Sequence, residues 1–163
     1  MTGVQTCALP ILEMLDACLA IAASSGLELA VEAIPCDYSD PLSNVRRAME
    51  QDRRCLAALD TEFLAYHHQL EQSLEAPWLW QDERVRHVHI KDYDGQMTEP
   101  NGYRRYLHPG EGHIDFPGFF KGLEAHGYHG AISLEASGVH QDDSIDLERI
   151  QQSLAYLRAL LES

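Results

Sequence analysis

The chain has few basic residues, no long apolar run and no paired-cysteine spacing, and each absence closes a class of function. Twelve Lys and Arg face 26 Asp and Glu, for a formal net charge of −14. Nucleic-acid binding needs a basic surface that releases counterions, so no nucleic-acid partner is expected. Small polar substrates held with a metal remain compatible. No stretch approaches the ~20 apolar residues of a membrane-spanning helix, so no membrane partner is expected either. Of the four cysteines, Cys7 lies in an atypical leader, and Cys18, Cys36 and Cys55 show no C-x-x-C spacing. That pattern predicts no disulfide framework and fits a reducing cytoplasm. Low-complexity segments are absent.

The leader is residues 2–11, TGVQTCALPI, which resemble the in-frame translation of a common sequencing-adapter oligonucleotide. Residues 1–11 are therefore expected to be non-native, with the domain running over 12–163. A short signal peptide is the other reading, but no basic segment precedes the apolar run and Pro10 breaks it.

What is present is a rhythm. Four short apolar, β-leaning runs each end in a polar residue: Glu32 in LELAVEAIP, Asp60 in RRCLAALDTE, His89 in VRHVHIKD and Glu135 in GAISLEAS. Helix-period sequence follows each one. Asp60 lies 28 residues after Glu32, and His89 lies 29 after Asp60. One strand, one helix and two loops take about 30 residues, so the repeat reads as parallel βα units. The longer step of 46 residues to Glu135 is filled by a Gly/Pro-bearing loop, KDYDGQMTEPNGYRRYLHPGEGH, suited to covering a catalytic face. A whole (β/α)8 barrel needs roughly 250 residues, and 163 residues with four strands make a half-barrel. Such a half exposes two sheet edges and, by expectation, an apolar interior, so association of copies is predicted.

In order, the pattern predicts a helix carrying Leu12, Leu15, Leu19 and Ala22 that ends at Gly26, then a strand over 27–33. A helix over 42–52, a strand over 54–59 and a helix over 61–73 follow, with PWLW a loop or short turn. Strands over 85–90 and 130–134 flank a helix whose stripe is Phe116, Phe119, Phe120 and Leu123. A closing helix is marked by Ile150, Leu154, Leu157 and Leu161 after the acidic segment QDDSIDLE.

The C-terminal ends of barrel strands form the active-site face, so Glu32, Asp60, His89 and Glu135 share one rim. Each could be a strand-end polar residue that caps the next helix. Together, three carboxylates and one imidazole form a divalent-metal ligand set with room for substrate oxygens. In HVHIKD, alternation puts His87 and His89 on one face. His89 is the better ligand, and His87, one pleat deeper, reads as a satisfied core histidine. Lys91 either neutralises substrate charge or is a solvated loop residue. Arg104, Arg105 and His108 are candidates to contact substrate oxygens. Gly110 and Gly112 allow close approach to a ligand, and Asp115 caps the helix that begins at Phe116. His67, His68, Trp78 and Trp80 fit no ligand spacing and read as packing or surface residues.

With VEAIP, LDT, HVHIKD, GEGHIDF and GYHGAISLEAS in this order, the chain resembles the C-terminal half of the xylose-isomerase-like TIM-barrel superfamily. The nearest group within it is the sugar phosphate isomerases and epimerases related to family 2 AP endonucleases. The resemblance implies that Glu32, Asp60, His89 and Glu135 coordinate one divalent cation (Mn, Mg, Co or Zn) and that Glu32 and Glu135 also act as an acid/base pair. The substrate would be a sugar, sugar phosphate or polyol, and the chemistry proton abstraction next to a carbonyl through a stabilised enediolate. Lys91, Arg105 and His108 would contact substrate. An inosose-type dehydratase is the alternative enzyme, and a non-catalytic fragment the alternative of another class. The chain departs from the pattern at Phe63, where many members carry His, and at Leu107 and His108, which separate Arg105 from the Pro-Gly. The multi-His trinuclear zinc arrangement of the AP endonucleases is not met.

Overall fold

A computed structural model describes residues 8–35, 40–135 and 144–162, with the side chains of 8–13 excepted. The remainder of the 1–11 leader, residues 1–7, and Cys36 lie outside the described residues. Helix α1 (Ala8–Ser24) leads into strand β1 (Leu29–Glu32), then α2 (Pro41–Gln51), β2 (Cys55–Asp60), α3 (Thr61–Tyr66), α4 (Leu70–Glu75) and the one-turn α5 (Pro77–Trp80). After a 3-10 turn come β3 (Val85–Ile90), α6 (Phe116–Ala125), β4 (Ala131–Leu134) and α7 (Leu147–Leu161). The four strands form one all-parallel sheet in the order β1-β2-β3-β4. Parallel neighbours need crossovers, and the intervening helices supply them.

Alternation along the strands divides the sheet into two faces. Leu29 and Val31 pack against a cluster of Leu15, Leu19, Ala48 and Cys55. Leu59, Val88 and Ile90 join Val45, Met49, Leu79, Phe116, Phe119 and Leu157 in the main core. The opposite face carries Ala30, Ala58, His87, Ala131 and Ser133, with Leu56 as its large apolar side chain. The expected apolar interior is met by alanines and by Leu56 alone among large side chains, with His87 and Ser133 as its polar members. Among the described residues the outer edges of β1 and β4 are unpaired.

The structure breaks one expected helix, resolves PWLW as the turn of its two alternatives and changes the buried face of another helix, each for an identifiable reason. The helix expected over 61–73 breaks at His67 to Gln69, where His68 adopts φ +55°. Gln69 is drawn instead to the start of α2: its Oε1 accepts from Leu42 N at 3.2 Å and its Nε2 donates to Asp40 Oδ1 at 2.7 Å. PWLW forms a helical turn begun by Pro77, with Leu79 fully buried. On α7 the buried positions are Ser153 and Leu157, while Leu154 and Leu161 of the expected stripe are exposed. The helix is rotated because Ser153 Oγ lies 2.5 Å from His108 Nδ1 in the loop beneath it.

Candidate metal centre

Each strand delivers a side chain from its C-terminal end to one rim: Glu32 and Asp60 close β1 and β2, His89 is next to last in β3, and Glu135 directly follows β4. One ligand atom from each of Glu32, Asp60, His89 and Glu135 can be chosen so that all four lie within 4.8 Å of one another. Register explains this closeness: Asp60 pairs with His89 across β2 and β3, and the Glu135 N–H donates to the Ile90 carbonyl at 3.1 Å. His89 Nδ1 stands 2.6 Å from Glu32 Oε1, 3.1 Å from Glu135 Oε2 and 4.0 Å from Asp60 Oδ2.

Asp60 has two roles, one for each oxygen. Its Oδ1 accepts from Phe63 N at 3.0 Å and caps α3, which is the ordinary work of a strand-end aspartate. Its Oδ2 is buried and accepts no hydrogen bond of good geometry, although the Lys91 ammonium faces it as an ion pair at 2.7 Å. Burial drives the Asp60 carboxyl up to about 7, against the opposing charge of Lys91.

Lys91 is no solvated loop residue. Its side chain is 5% exposed, and Nζ sits 2.7 Å from Asp60 Oδ2, 3.0 Å from Glu135 Oε2 and 3.8 Å from Glu62 Oε2. The ring of Phe63 backs it at 4.1 Å, so the departure from His at this position supplies an aromatic face for a cation. Burial lowers the tendency of Lys91 to hold its proton, and Asp60 and Glu135 more than offset this, leaving its pKa raised. Burial likewise pushes Glu135 up, but the Lys91 hydrogen bond and charge outweigh it and the carboxyl stays below the usual range. Thr61 Oγ1 donates to the Lys91 carbonyl at 2.6 Å and accepts from its N–H at 3.0 Å, fixing the root of the side chain.

The other candidate residues are held elsewhere. Arg105 pairs with Glu99 at 2.9 Å and Asp94 at 2.5 Å inside the long loop, and His108 is buried against Ser153 of α7. Arg104 reaches the rim, pairing with buried Glu62 at 2.5 Å. His87 Nε2 lies 2.8 Å from Ser133 Oγ, one pleat below His89. Trp80 stacks on His126 and donates to the Ser73 carbonyl.

Two important carboxylates escaped the sequence pattern. Glu62, two residues past Asp60, is buried and bridges Lys91 and Arg104. Asp92 is buried and accepts backbone N–H groups from Tyr93, Gly110, Gly112 and Ile114 at 2.8–3.1 Å. A Cβ at Gly112 would lie 2.5 Å from Asp92 Oδ1. The close approach that glycine permits here is thus to the protein's own carboxylate. Buried acid groups such as these carry no composition or period signal; the K-D dipeptide after the strand was the available hint for Asp92.

The donor set admits a divalent cation. Ligands at about 2.0–2.6 Å from a metal lie no more than about 5 Å apart across it, and the quartet meets that limit. Three rim carboxylates and Lys91 leave two negative charges uncompensated, while Glu62 and Arg104 neutralise each other. A divalent ion would close the balance and offer Asp60 Oδ2 a second cation beside Lys91. His89 would then offer the Nδ1 lone pair and carry its proton on Nε2.

A parallel βα half-barrel whose strand ends gather three carboxylates and an imidazole defines an α/β barrel protein with a cation-compatible rim. The chain belongs to the xylose isomerase-like TIM-barrel family, whose profile matches residues 5–160. Among solved structures, it is similar to the apo 3-keto-D-glucoside 4-epimerase YcjR from E. coli, with 24% identity and a TM-score of 0.67. That likeness, which speaks to the fold, covers 91% of this chain and 52% of the other. The chain thus spans about half the length of that protein. No curated protein matches the sequence. No helix among the described residues is long and apolar enough to cross a membrane.

Proposed function

We propose that the chain carries the catalytic rim of a divalent-metal-dependent sugar, sugar phosphate or polyol isomerase or epimerase. Glu32, Asp60, His89 and Glu135 are its metal ligands, and Glu32 and Glu135 its acid/base pair. The observation that carries this reading is the convergence of four donors from four successive strand ends within 4.8 Å. Family membership and the epimerase activity of a protein with the same fold support it.

When bound, a Mn, Mg, Co or Zn ion supplies Lewis-acid polarisation of a substrate carbonyl. The protein residues divide the remaining work by exposure. Glu32 and Glu135 have side chains 32% and 47% exposed, whereas Asp60 is at 0%. Only the two glutamates are open enough to touch a substrate carbon. One removes the proton next to the carbonyl, and the other returns a proton to the opposite face or to the neighbouring carbon. Lys91 places its ammonium beside Glu135, where negative charge on a substrate oxygen would be stabilised. Arg105 and His108 contact substrate only if the long loop releases them from Asp94, Glu99 and Ser153.

The test is NMR in deuterated water over a panel of ketoses and inososes with Mn²⁺ removed before detection. Deuterium entering next to the carbonyl, and prevented by chelator during the reaction, is the expected result. Loss of water from the product would instead identify a dehydratase. A second reading, metal binding without turnover, is favoured by one observation. Among the described residues the sheet has four strands with both outer edges unpaired, and no further strand of theirs closes a barrel across from the quartet. Bound Mn²⁺ without deuterium exchange would support that reading and overturn the first.

A further inference from the structure

We propose that Lys91 is a tethered cation that competes with the metal for Asp60 and Glu135, and so sets the affinity of the quartet for divalent ions. The inference rests on the divalent-cation reading of the quartet. The Lys91 ammonium sits between Asp60 Oδ2 and Glu135 Oε2, at 2.7 and 3.0 Å. These are the same oxygens that approach His89 Nδ1. A divalent ion ligated by both oxygens shares them with an ammonium only a few ångströms away, and like charges at that range repel strongly in a partly buried site.

The fold also supplies a second seat. Glu62 Oε2 lies 3.8 Å from Nζ and the Phe63 ring 4.1 Å from it, so a short movement takes the ammonium from Asp60 to Glu62 without exposing it. Glu62 is held in place by Arg104, whose guanidinium reaches it from the long loop at 2.5 Å. Glu62 is thus a positioning residue that acts on metal binding through Lys91. Because Thr61 fixes the lysine backbone, the exchange involves the side chain alone.

Calorimetric titration of the full chain with Mn²⁺ tests this directly. Lys91→Met is expected to tighten binding by about tenfold or more. Glu62→Gln is expected to weaken it, because the displaced ammonium loses its alternative partner. In the Lys91→Met background the Glu62→Gln effect largely disappears, an outcome that simple loss of nearby negative charge would not give. Equal Mn²⁺ affinity in wild type and Lys91→Met overturns the inference while leaving the metal site intact. Absence of binding in both overturns the site and the inference together.

Removal of a buried cation can prevent folding, so a second measurement uses the wild type. Lys91 and Lys121 are the only lysines in the chain, and their ammonium ¹⁵N signals separate buried Lys91 from exposed Lys121. Saturating Mg²⁺ is expected to shift the Lys91 signal and leave that of Lys121 in place. A Lys91 signal unmoved by saturating Mg²⁺ overturns the inference.

Discussion

Replacing Asp92 with Ala is expected to cost about 3–4 kcal/mol of stability, on the order of a third of what a domain of this size possesses. The carboxylate is 1% exposed and accepts four backbone N–H groups. Each hydrogen bond to a charged acceptor is worth about 1.5–3 kcal/mol, and a donor left without a partner costs a similar amount. Water recovers part of that at the half-buried loop, which brings the total down from the gross value. Asp92→Asn should lose most of the same energy, because its NH2 group takes the place of one carboxylate oxygen and leaves two backbone N–H donors facing another donor. Urea unfolding measures this: with m near 1–3 kcal/mol per molar, the midpoint falls by roughly 2 M at constant m. A loss below about 1 kcal/mol for Asp92→Ala would refute the view that this carboxylate organises the glycine loop.

Arg84 donates to the carbonyls of Met49, Asp52 and Cys55 at 2.8–3.2 Å, closing the end of α2 onto the start of β2. Arg84→Met should therefore cost about 2 kcal/mol in the same assay, and a change below about 0.5 kcal/mol, the scatter of surface substitutions, would contradict it. Glu111 links the glycine loop to Arg149 of α7 at 2.5 Å. Burial raises its pKa, but Arg149 and the His108 N–H outweigh this and hold it below the usual 4.5. A depressed carboxyl contributes stability above pH 4.5 that is lost as pH falls through the folded value. Glu111→Gln should flatten the acid limb of stability against pH, and identical slopes in the two proteins would rule the coupling out.

The strands and their polar ends were legible because apolar runs of strand length, closed by Glu32, Asp60, His89 and Glu135, recur at βα spacing. Val85–Ile90 could be bounded within one residue, since Arg84 and Lys91 punctuate it. The break at His68 was not legible: it depends on Gln69 reaching back to α2, a contact between residues 27 apart. The rotation of α7 was hidden for a similar reason, because a serine becomes a core residue only when His108 is there to meet it. Lys91 shows the same limit within the site. Its sequence context allows either a solvated or a charge-neutralising lysine, and burial among three carboxylates decides between them. Local pattern reports periodicity and punctuation, whereas polar burial is set by partners distant in the chain.

The most direct measurement on the metal site is electron paramagnetic resonance of Mn²⁺ titrated into the chain, which counts free ion against bound. The account predicts one bound Mn²⁺ per chain and its loss in Asp60→Asn, a substitution that keeps an oxygen for the α3 cap while removing the buried charge. A free-ion signal that rises without any bound fraction, or equal binding by wild type and Asp60→Asn, would contradict it.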